Sequence, residues 1–183
     1  MTTALLVIDF QKALVDTEPL PGDIAMVSAN INALMQRARQ TGTPVVLIQH
    51  EDHTTLVRES EAWALSAALV TDPGDHLIGK RTPDSFLGTD LGALLAAHAV
   101  NHVVICGYAS EFCVDTTVRR AAANGLAVTL AADAHTTHDK PHANAASIRA
   151  HHNATLSNIR SFGPKISAKR TDEITFDTPA QDG

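Results

Sequence analysis

Short apolar runs rich in Val, Ile and Leu alternate along this chain with longer Ala-rich stretches of helical period. The runs ALLVID (4–9), PVVLIQ (44–49), HVVICG (102–107) and LAVTLAAD (126–133) read as fully buried strands, because they carry no polar alternation. DHLIGK (75–80) and PKIS (164–167) are weaker and shorter strand candidates. Helical spacing covers 24–42, stopping at Gly42, then 89–100, 111–125 with an Asn-Gly stop, and 143–159. Strands alternating with helices predict right-handed parallel crossovers and a sheet covered on both faces. The segment 50–74 has no strand character and is expected to form a short helix and loop over the site. No repeat or linker divides the chain, so one domain is expected over 1–175, followed by a polar tail at 176–183.

Composition narrows the class. The 183 residues suit one domain, and 44% apolar content allows a sizeable core. Only 4% are aromatic, so aliphatic side chains must fill it. A formal net charge of −6 argues against a nucleic-acid partner. No apolar run approaches the roughly 20 residues of a membrane span. MTTALLVIDF has neither a basic leader region nor a small-residue cleavage site, so it reads as a first strand of a cytoplasmic protein. The two cysteines are then expected as free thiols.

In an open parallel sheet, ligands bind at the carboxyl ends of the strands. That edge gathers Asp9, the HEDH run (50–53), Lys80, the GYASEFC segment (107–113), Asp133 and His135. Ser110 is a suitable N-cap and would place Cys113 in a first helical turn, where free N–H groups and Lys80 favour a thiolate. A buried inert thiol is the competing reading, and it suits Cys106, inside a strand, well. Asp9 is either a loop cap or a base beside the thiol. Lys80 is either a snorkelling strand-end lysine or the cation that holds its neighbours ionised. The histidines at 135, 138, 142, 151 and 152 are read as solvated loop residues or a second site. Neither GxGxxG nor GxxxxGK[ST] occurs, which removes the usual phosphate loops, and the cysteines do not form C-x-x-C.

VIDFQKAL (7–14), GKRTPDSFLGTDL (79–91) and CGYASEFCVDTTVRRAAANGLAVTLAADAHTT (106–137) together resemble the isochorismatase-like cysteine hydrolase superfamily, which includes nicotinamidases and related amidases. The resemblance implies an α/β, Rossmann-like three-layer αβα sandwich with a central parallel sheet of about six strands. It implies a catalytic triad of Asp9, Lys80 and Cys113. It also implies a cis peptide at Tyr108–Ala109, with the Ala109 and Cys113 N–H groups as oxyanion hole. The implied reaction is cleavage of an amide-type C–N bond through a thioester on Cys113, with no redox or nucleotide cofactor. True isochorismatases lack the cysteine and cleave a vinyl ether, so that chemistry, or ligand binding without catalysis, is the alternative. Phe10, Gln11, Trp63, Phe86, Tyr108 and Phe112 are expected to line the substrate pocket. Nicotinamidases bind a metal through Asp-x-His and a further His. Here only Glu51-x-His53 matches in part, and His76 begins a strand at the other edge, so no metal is expected. A homodimer or homotetramer is expected, since the family often assembles.

Overall fold

The computed structural model describes residues 1–176. Six strands, β1 (Thr3–Ile8), β2 (Val45–His50), β3 (His76–Lys80), β4 (His102–Tyr108), β5 (Ala127–Thr136) and β6 (Ile166–Lys169), form one sheet in the order β3-β2-β1-β4-β5-β6. Every pairing is parallel. Helices α1 (Lys12–Val15), α2 (Ile24–Gln40), α3 (Leu91–Ala97), α4 (Asp115–Ala123) and α5 (Ala145–Ser157) connect them.

The period-2 geometry of a strand divides β1 between two cores. Leu5 and Val7 pack with Val27, Ile31, Leu34 and Met35 of α2. Ala4, Leu6 and Ile8 pack with Leu91 and Leu95 of α3, Val118 and Ala121 of α4, and Leu156 of α5. Burying each such aliphatic side chain contributes about 1.5–3 kcal/mol, so the three layers hold together without aromatic bulk. Among the described residues, no helix is long and apolar enough to cross a membrane.

Strand order reverses at β1, which lies between β2 and β4. The chain leaving β1 leads to α2 on one face and the chain leaving β4 to α4 on the other, the topological switch beside which open parallel sheets bind ligands. Gly107 makes that junction possible. Its φ is +116°, and a Cβ there would sit 2.6 Å from the Ile8 nitrogen and closer still to the Ile8 carbonyl oxygen. Glycine alone lets β4 press against the end of β1.

Several local expectations change. No helix forms in 50–74, which is turns and bends pinned by an isolated Gln11–Leu65 antiparallel bridge. The short helix α1, one turn long, falls below what periodicity detects. β5 runs on to Thr136, so His135 lies in a strand and is fully buried rather than solvated. The expected tail lies outside the described residues except for Phe176, which is buried in the α2 core.

Candidate active site

Asp9 leaves β1 with φ +47°, a left-handed turn that Asp tolerates better than most residues. Its N–H continues the ladder onto the Ile48 carbonyl at 2.8 Å, while its side chain turns toward the end of β3. There Lys80 Nζ donates to Asp9 Oδ2 at 2.6 Å, with side-chain exposures of 0% and 2%. Lys80 Nζ also donates to the Thr82 carbonyl at 3.2 Å and lies 3.4 Å from His50 Nδ1. Burial, then the Lys80 ammonium, holds His50 below the usual imidazole range. The second Asp9 oxygen, Oδ1, is buried with no hydrogen-bond partner among the described residues.

Cys113 reaches this pair from β4. A π-helical turn, Ser110–Val114, follows the strand and runs into α4. The Tyr108–Ala109 peptide before it is cis. The Cys113 thiol is close enough to Asp9 and Lys80 to be shifted by both. Burial and the Asp9 charge raise it, outweighing Lys80, and push it up to about 12. That direction runs against the thiolate expected from the helix start and the lysine, because a dry pocket and an adjacent carboxylate both disfavour the anion. Cys106 is wholly buried, and burial drives its thiol up as well.

Ser110 does not act as the N-cap. Ala109 occupies that position, and the Ser110 hydroxyl turns inward to His135 Nδ1 at 2.8 Å. Asn153 Nδ2 donates to the Ala132 carbonyl at 2.9 Å, so its Oδ1 faces His135 Nε2 at 2.9 Å. The imidazole therefore carries its proton on Nε2 and accepts the Ser110 O–H at Nδ1. This buried chain ties the Ser110–Val114 turn to β5 and α5. A second tie joins the segment after Lys80 to α4: Ser85 Oγ lies 2.8 Å from Thr117 Oγ1, and Arg120 Nε donates to Asp84 Oδ2 at 2.7 Å. Neither tie was visible in the sequence. The signal available was a set of small polar residues beside the segments that carry Lys80 and Cys113.

The expected pocket residues separate. Phe10 is fully buried and packs in the α2 core. Gln11 is fully buried too, donating from Nε2 to the His50 and Trp63 carbonyls and accepting the His50 N–H. It braces the loops after β1 and β2. Phe86 packs with Cys113 against the α3–α4 core. Tyr108 packs on the α2 core, and its OH lies 2.8 Å from His138 Nδ1. Phe112 is 55% exposed beneath the Lys140 ammonium. Trp63 holds a buried indole N–H with no partner among the described residues. Glu51 pairs with Arg81 and Arg58, and His53 is exposed. The described residues contain no cluster of three or more His, Cys, Asp or Glu able to hold a metal ion.

The sequence profile described as Isochorismatase domain matches residues 3–161. Streptothricin hydrolase of Streptomyces noursei is 37% identical over 140 residues, 75% of this chain and 51% of that protein. Ureidoacrylate amidohydrolase RutB of Methylobacterium radiotolerans is 31% identical over 126 residues, 69% of this chain and 46% of that protein. The chain thus spans about half the length of these curated relatives. A crystal structure of an isochorismatase family protein superposes with a TM-score of 0.84 at 33% identity, covering 92% of this chain and 98% of that one.

Proposed function

This chain belongs to the isochorismatase-like hydrolase superfamily, and on that premise we propose that it cleaves a C–N bond of a small amide through a thioester on Cys113. The observation that carries this reading is the buried Asp9–Lys80 pair at 2.6 Å beside the thiol, with Asp9 Oδ1 left unpartnered. Similarity to an amidohydrolase supports the amide class.

With the thiol as the resting form, nucleophile and base must act together. Asp9 takes the Cys113 proton as Sγ attacks the carbonyl carbon. The oxyanion sits on the backbone N–H groups of Ala109 and Cys113; one such donor is worth about 3–4 kcal/mol. Asp9 then passes the proton to the departing nitrogen, and the amine leaves. Asp9 next takes a proton from water as the water attacks the thioester. The carboxylic acid departs and the sulfur regains its proton. Lys80 stays an ammonium throughout and keeps Asp9 charged in a dry pocket.

Intact mass spectrometry after quenching the enzyme with an amide library tests this. An acyl adduct on wild type that Cys113→Ala lacks is expected. Turnover of a vinyl ether with no adduct from any amide would replace the reading.

A further inference from the structure

The nucleophile turn carries a second carboxylate that the mechanism does not use. Glu111 lies two residues before Cys113 and faces the loop after β5. Its Oε1 is saturated, accepting the Thr137 hydroxyl at 2.8 Å and facing Lys140 Nζ at 3.3 Å. Its Oε2 is buried and has no partner among the described residues. A buried carboxylate oxygen without a donor is costly, by the same rule that pairs almost every buried polar group. Glu111 also forms a wall of a cavity of about 480 Å³, completed by His142, Ala143, Ser147, Ile148, His151 and His152. That volume suits a small ligand. The cavity meets the turn that carries Cys113 at Glu111; Tyr108, just before that turn, has its phenol raised to about 12 by burial first, then by Glu111, Cys113 and Asp9 together. Tyr108 thus stands within the field of both carboxylates and the sulfur.

The chemistry of the walls selects the occupant. Aliphatic carbons and imidazole faces accept an apolar linker. Oε2 asks for an N–H donor. Lys140 already pairs with Glu111 at Oε1, which removes the advantage of a full ammonium, and a carboxylate has no hydrogen to donate to Oε2. We propose that this cavity is the specificity pocket for the part of the substrate remote from the scissile bond, and that Glu111 Oε2 receives an uncharged N–H donor there, such as a terminal carboxamide. This rests on Cys113 being the nucleophile.

The test uses three chloroacetamides of equal length, ending in a carboxamide, a branched hydrocarbon or a carboxylate. Labelling of Cys113 is timed by intact mass. The carboxamide probe should react about tenfold faster than the carboxylate probe, as expected for one hydrogen bond to a charged acceptor. The hydrocarbon should fall between. Glu111→Gln and Glu111→Ala should bring the carboxamide and carboxylate rates within about twofold of each other. The wild-type series stands by itself should either variant fold poorly. Equal wild-type rates, or a preference that survives both variants, would overturn the pocket alone. No labelling of Cys113 by any probe would sink the nucleophile reading and this pocket with it.

Discussion

Replacing Lys80 by Met should be far more damaging than replacing the Asp9–Lys80 pair together. The two charges lie 2.6 Å apart with side-chain exposures of 2% and 0%. At an effective dielectric of about 20, their attraction is about 6 kcal/mol, which offsets the cost of removing both from water. Lys80→Met keeps the volume of the stem but leaves Asp9 as a buried carboxylate without its cation, at a cost of about 3–5 kcal/mol. Asp9→Asn/Lys80→Met removes both charges, and its loss should fall at least about 2 kcal/mol below the sum of the two single losses. Urea denaturation followed by the fluorescence of Trp63, the only tryptophan, measures all four proteins. A Lys80→Met loss under about 1 kcal/mol, or strict additivity, would refute the buried pair as an energetic unit.

His135 is wholly buried and its imidazole is held down at about 4 by that burial. The unfolded chain then binds the extra proton between pH 6.5 and 4, so stability is full above 6.5 and falls with acid; the loss attributable to His135 should reach about 2 kcal/mol at pH 5. Urea midpoints of wild type and His135→Asn at pH 7 and 5 should converge as pH falls. Gly107→Ala forces a Cβ into the Ile8 backbone at φ +116° and should cost more than about 3 kcal/mol, read as a lost or greatly lowered Tm. Cys113, with its thiol near 12, should react slowly with iodoacetamide at pH 6 and progressively faster toward pH 9; a fast, flat profile would show a standing thiolate.

Much of the fold was legible because burial on both faces leaves unbroken Val/Ile/Leu runs, as at 44–49 and 102–107. The carboxyl-edge rule places Asp9 and Lys80 on one rim, where the structure pairs them at 2.6 Å. What escaped is tertiary in origin. The sequence around Ser110 satisfies a local capping rule, yet its hydroxyl is claimed by His135, a residue of another strand. Phe10 adjoins a candidate site residue in sequence, but the left-handed turn at Asp9 breaks the strand alternation and sends Phe10 to the α2 core. The sign of the Cys113 shift depended on how burial balances two opposite charges, and spacing carries no information about depth.

Asp9→Asn provides the most direct test of the central claim, that Cys113 works through a carboxylate base. With the amide found by adduct screening, turnover should fall about 10³-fold, since proton transfer both to and from Asp9 is lost. Alkylation of Cys113 at pH 7 should be undiminished, because the neighbouring negative charge that raises the thiol is gone. Turnover within tenfold of wild type, with the nucleophile still alkylated, would contradict the account.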